Sequence, residues 1–137
     1  MMKKVFKKQI TDRLVIFFVF LFIIVLLILL VRIVNSHRYN KRLEEIKKVL
    51  NVKQGDNLKE VFSYVIKEGM TYEELKHKLK PLEKLSFVEV IEHREGTSET
   101  FICYIFDMGY MLTLGRDGIT IEIDRGKVKK FHLEDSL

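Results

Sequence analysis

The stretch LVIFFVFLFIIVLLILLV, Leu14 to Val31, is eighteen consecutive apolar residues. No other feature limits the possible folds so strongly. A helix rises about 1.5 Å per residue, so the run covers about 27 Å; continued to Val34 it reaches about 31 Å, the depth of a bilayer's hydrocarbon core. Each Leu, Ile, Phe or Val near the centre favours insertion by about 0.3–0.6 kcal/mol. Together they outweigh Arg32, which lies near the end and can snorkel to the headgroups. A buried helix of a soluble protein rarely runs this long without a polar face. The run also exceeds the apolar stretch of a cleaved signal peptide, about 7–15 residues. The following LLVRIVNSHRYN has no small-x-small cleavage pattern. The sequence thus predicts a basic tail over 1–13 and an uncleaved single-pass transmembrane helix over 14–34.

The net charge of +5 would suggest nucleic acid until the charges are placed. Residues 1–34 hold Lys3, Lys4, Lys7, Lys8, Arg13 and Arg32 against Asp12. Taken from totals of 24 and 19, these leave eighteen cations and eighteen anions beyond residue 34. A solvated region without net charge lacks the field that steers phosphates, so no nucleic-acid partner is expected. Cys103 is the single cysteine, which excludes an intrachain disulfide and a cysteine-based metal site. No metal or cofactor is expected.

The Lys/Arg counts on the two flanks nearly tie. A short cationic tail resists translocation, whereas a long downstream domain crosses largely regardless of charge. The expected topology has the N-terminus in the cytoplasm and the C-terminal domain outside it; the reverse is the alternative. Arg13, Arg32, Arg38, Lys41 and Arg42 are expected at the membrane interface. The Lys- and Ile-rich composition is compatible with a bacterial source.

Tyr39, Leu43, Ile46 and Leu50 form a helical stripe, predicting a helical stalk over 35–50. Two heptads are too few for a stable coiled coil, so a homodimer seam is not expected there. NVKQGDN breaks the helix, with Gly55 as the hinge. A small domain over 51–137 follows. Asn57 and Glu60 announce a helix over about 57–68 with Leu58, Val61, Phe62 and Val65 on its apolar face. Thr71 and Glu74 form a capping box for a helix over about 72–80; Met70 and Leu75 make its hydrophobic staple, and Pro81 ends it. A DNA-reading helix-turn-helix is disfavoured, since net positive charge and a third helix are both missing.

Beyond Pro81 the period changes to two. Strands are predicted at 87–92, 101–106, 110–114, 119–124 and 127–132, separated by Gly- and Asp-rich turns. If Met108-Gly109 and Asp117-Gly118 are two-residue turns, Cys103, Ile105, Leu112, Leu114, Ile121, Ile123 and Val128 share the face that receives the helices. The opposite face then carries Tyr104, Phe106, Met111 and Thr113, an aromatic and methionine patch suited to binding a partner. The predicted fold is α+β: a transmembrane helix and stalk, then two short helices packed on a four- to five-stranded antiparallel sheet.

The order of elements and GMTYEELKHKLKP resemble the SmpA/OmlA family over roughly residues 57–133. That family includes the small lipoprotein subunit of the outer-membrane β-barrel assembly machine and shares its fold with β-lactamase inhibitor protein. Gly69, Met70, Thr71, Leu75, Leu79 and Pro81 match the motif. Lys80 stands where a glycine is usual, the proline comes one residue early, and there is no lipid-acceptor cysteine. The resemblance implies two helices on an antiparallel sheet and an extracytoplasmic protein-binding role.

No phosphate-binding glycine loop, metal-ligand spacing or nucleophile motif is present. Glu92, His93 and Glu95 are close in sequence, but adjacent strand residues point to opposite faces. The expectation is a non-enzymatic, membrane-anchored protein-binding module, with membrane lipid and a membrane-associated protein as partners. A cytoplasm-facing accessory subunit and a membrane-anchored inhibitor or immunity-type protein are the alternatives.

Overall fold

The computed structural model describes residues 2–112 and 115–134, with side chains from residue 9 onward. The chain divides into two compact units, one ending at Ser36 and the other starting at His37. Helix α1 (Met2–Leu50) contributes to both.

In the first unit the helix carries the apolar run. Leu14 to Leu30 are all exposed, and the most apolar eighteen-residue window has a mean hydropathy of 3.8 with none of it buried. This is one N-terminal helix long and apolar enough to span a membrane.

The second unit is α+β: the end of α1, two short helices and an open four-stranded antiparallel sheet. The stripe read from the sequence is there, but its destination differs from a stalk. Leu43 and Ile46 are buried in the domain core, and Tyr39 and Leu50 pack against it. The domain therefore begins at His37 rather than at residue 51. A helix that buries this stripe against its own domain is a structural member of it.

Asn51 ends α1. Its φ of 55° is left-handed, and the Asn51 and Val52 amides donate to the Lys48 and Lys47 carbonyls. That is the Schellman pattern, with asparagine in the place glycine usually takes. Gly55 follows at φ +106°, and a Cβ there would come within 2.9 Å of Val61. Helix α2 (Leu58–Val65) is capped by Asn57, which accepts from the Glu60 amide, and it buries the four expected apolar residues. It is shorter than predicted, because Ile66 leaves the helix in an extended conformation and is itself buried. Helix α3 (Tyr72–Leu79) begins with the expected Thr71–Glu74 capping box and buries Leu75 and Leu79. Pro81 lies in the 3-10 turn Lys80–Lys84, whose Leu82 is also buried.

The strands are β1 (Val88–Glu95), β2 (Glu99–Phe106), β3 (Asp117–Asp124) and β4 (Lys127–Glu134), ordered β1-β2-β3-β4. Between β3 and β4, Arg125 and Gly126 both have positive φ, the geometry of a two-residue type I′ hairpin. The predicted strand at 110–114 does not form over 110–112; Thr113 and Leu114 lie outside the described residues. Met108-Gly109 is not a hairpin turn either. Met108 is fully buried, and Tyr110 is drawn against Tyr39 and Asp117. Residues 107–110 are thus pinned to α1, and β2 pairs directly with β3.

That pairing places Ile102 opposite Ile121 and Tyr104 opposite Ile119. With a side-chain period of two, a slip of one residue exchanges the faces of a whole strand. Ile102, Tyr104 and Phe106 therefore face the helices with Ile119, Ile121, Ile123 and Val128. Phe106 meets Phe62 of α2 edge to face, with ring centroids 5.6 Å apart. Cys103 and Ile105 lie on the other side, half-buried.

Candidate protein-interaction face

The side of the sheet away from the helices is built from three cross-strand rows. Ile91, Cys103, Thr120 and His132 form the central row. His93, Phe101, Glu122 and Lys130 form one flank; Glu89, Ile105, Gly118 and Glu134 form the other. The β1–β2 half is apolar: Ile91 is 46% exposed, and Phe101, Cys103 and Ile105 are half-buried. None of these four belongs to the core cluster.

The β3–β4 half is polar and tied together. The Glu122 carboxylate accepts from Lys129 at 2.6 Å and pairs with Lys130 at 3.2 Å. A bulge at Glu122/Ile123 places two successive lysines beside one carboxylate. The Lys129 hydrogen bond holds Glu122 below the usual carboxylate range, and that carboxylate raises Lys129 in turn. The Thr120 hydroxyl donates to Glu134 at 2.7 Å and lies 3.6 Å from the Cys103 sulfur. Arg116 pairs with Glu89 at 3.1 Å on the β1 side. The face is thus apolar over β1 and β2 and carries paired charges over β3 and β4.

Two residues of the expected patch are corrected by this register. Tyr104 and Phe106 are buried among the helices and offer no surface to a partner. Burial pushes the Tyr104 hydroxyl up to about 12, with the Glu83 carboxylate adding to the effect. Met111 lies in the connector, half-buried, and Thr113 is outside the described residues. Among the described residues, the side of the sheet away from the helices carries the other set of side chains.

The expected interface cations separate as well. Arg13, Arg32 and Lys41 are exposed. Arg42 is folded into the domain, contrary to expectation. Its solvent-excluded Nη1 lies 2.9 Å from Asp107, an ion pair without hydrogen-bond alignment, and its guanidinium sits 5.0 Å from the Phe87 ring centroid. Arg38 donates to the Gly109 carbonyl at 3.2 Å. The Gly109 amide, and then Arg42, hold Asp107 below its ordinary value. Sequence reasoning missed this cluster because its partners are some seventy residues apart and no local pattern joins them.

Glu92 and His93 do fall on opposite faces. Glu92 accepts from the Tyr72 hydroxyl at 2.7 Å, which is the main reason its carboxyl is held low, with Lys76 and Arg94 nearby. His93 faces the uncovered side, 3.8 Å from Glu95. Among the described residues no three His, Cys, Asp or Glu side chains gather as metal ligands.

The second unit also has an open groove of about 560 Å³ at the end of α1, against α2 and α3. Val49, Leu50, Val52, Tyr64, Val65 and Pro81 line it, with Lys53, His77 and Lys78.

Compared with protein-family models, with curated proteins and with solved structures, the chain has no match.

Proposed function

We propose that the chain is a single-pass, membrane-anchored, non-catalytic module that binds a membrane-associated protein, with its N-terminus in the cytoplasm and its C-terminal domain outside. The observation that carries this reading is one uncovered sheet face, apolar at Ile91, Phe101, Cys103 and Ile105, on a domain whose first helix is the continuation of an apolar span. Confinement to a membrane raises the effective concentration of any partner held there, so a contact of modest area suffices. The resemblance of residues 69–81 to the SmpA/OmlA family points the same way. Five cations on the short N-terminal tail support the orientation.

Two experiments test the two halves of the proposal. Photocrosslinkers at Ile91 and at Ile105 in native membranes should give one common adduct, lost in a Phe101→Lys variant that keeps its circular dichroism spectrum. No adduct at either position removes the binding face. For topology, Thr97 at the exposed β1–β2 turn is replaced by cysteine in a Cys103→Ala background. A membrane-impermeant thiol reagent should label it in intact cells. Labelling only after lysis places the domain in the cytoplasm and favours an accessory-subunit role there.

A further inference from the structure

The open groove of the second unit, about 560 Å³, falls within the usual range of ligand sites, about 300–1,000 Å³. None of its lining residues belongs to the sheet, so it is a surface separate from the uncovered face. We propose that it holds a short acidic segment of a partner protein, with apolar side chains on its floor and carboxylates beside Lys53 and Lys78. The proposal goes beyond the sheet-face reading and does not require it.

The floor is apolar and fixed. Val65 is buried, and Val49, Leu50 and Val52 pack against the core. Residues 52–55 run from α1 to α2 without secondary structure, and Gly55 lets them lie close against Val61 of α2. A segment that docks here meets a surface already formed, which lowers the entropy lost on binding. Tyr64 of α2 adds an aromatic ring that is 51% exposed. Charge selects the occupant. Lys53, His77 and Lys78 line the groove, and no Asp or Glu does. Among the described residues neither lysine makes an ion pair. Glu74, one turn before Lys78, is engaged by Thr71 in the capping box. Among the described residues the backbone amides of Lys53 and Gln54 make no hydrogen bond to the chain. Lysines attract carboxylates, and free amides suit the carbonyls of a peptide backbone. A fatty acid would satisfy the lysines and leave those amides to water. A basic segment would meet like charge.

The test uses the full chain in phosphatidylcholine nanodiscs. Hexapeptides from a random phage-displayed library are selected on it, then synthesised with a fluorescein label for anisotropy titration. The selected peptides are expected to combine Asp or Glu with Leu, Ile or Phe. Lys53→Glu together with Lys78→Glu should weaken them by about tenfold or more. Lys84→Glu together with Lys127→Glu, the same charge change outside the groove, should leave their affinity unchanged. All four lysines are exposed, so both variants should keep the wild-type circular dichroism spectrum. No enrichment, or enrichment of basic or uncharged sequences, overturns the inference. Peptides weakened by Phe101→Lys and not by the groove variant also overturn it, and leave the sheet-face reading standing. Dodecanoate is titrated separately. If it binds saturably, is weakened by the groove variant and no acidic peptide is selected, the groove is a lipid site and the inference fails.

Discussion

Replacing Phe106 and Ile105 by alanine, one at a time, tests which side of β2 faces the helices. Phe106 is fully buried and packs edge to face on Phe62 at 5.6 Å. Phe→Ala in a close-packed core costs about 3–5 kcal/mol, to which loss of an aromatic pair contributes about 0.5–1.5 kcal/mol. Ile105 is half-buried on the uncovered face and leaves no enclosed cavity, so its truncation should cost about 1 kcal/mol. For a domain of this size about 1 kcal/mol moves the melting temperature by about 4–8 °C, so the Phe106 variant should melt at least about 12 °C lower. The chain has no tryptophan. Tyrosine near-ultraviolet circular dichroism of detergent-solubilised protein, melted thermally and in urea, is the assay. An Ile105→Ala cost equal to or above that of Phe106→Ala would refute the register and restore the alternative in which Tyr104 and Phe106 face outward.

Thr71→Ala removes the side-chain acceptor for the Glu74 amide and should destabilise by about 1 kcal/mol in urea, with Thr71→Ser close to wild type. Asp107 and Glu92 both have depressed pKa values in the folded state. Their stabilisation is complete above their unfolded values, 3.8 and 4.5, and disappears as pH falls through the folded ones. The urea midpoint should therefore be flat from neutrality to about pH 5 and fall below about pH 4, with a shallower acid limb in Asp107→Asn. Tyr104 titrates at about 12 when folded against 10.0 when unfolded, so stability should decline as pH rises through that interval. In a spectrophotometric titration, one of the five tyrosines should ionise last, and Tyr104→Phe should remove that step.

Much of this architecture is legible in local patterns. The apolar run, the Thr71–Glu74 capping box, the face Leu58–Val61–Phe62–Val65 and the stripe Tyr39–Leu43–Ile46–Leu50 each depend on residues within a few positions of one another. Local spacing specifies these fully. It does not say what a stripe packs against, so the first helix of the domain reads as a stalk. The candidate site turned on one connector. Tyr110-Met111-Leu112 alternates well enough for a strand, but Tyr110 is held by Tyr39 and Asp117, and Gly109 by Arg38. The contacts with Tyr39 and Arg38 join residues some seventy positions apart. Without the extra strand, β2 pairs with β3, and the outward set changes from Tyr104 and Phe106 to Phe101, Cys103 and Ile105. Ile121, Ile123 and Val128 face the core under either pairing.

The account depends most on an apolar span that anchors a domain complete from His37 onward. Alkaline carbonate extraction of membranes carrying either the full chain or a chain starting at His37 addresses both parts in a single fractionation. The full chain should remain with the pellet, and the shorter chain should be found in the supernatant as a cooperatively folding protein. Release of the full chain into the supernatant would contradict the account.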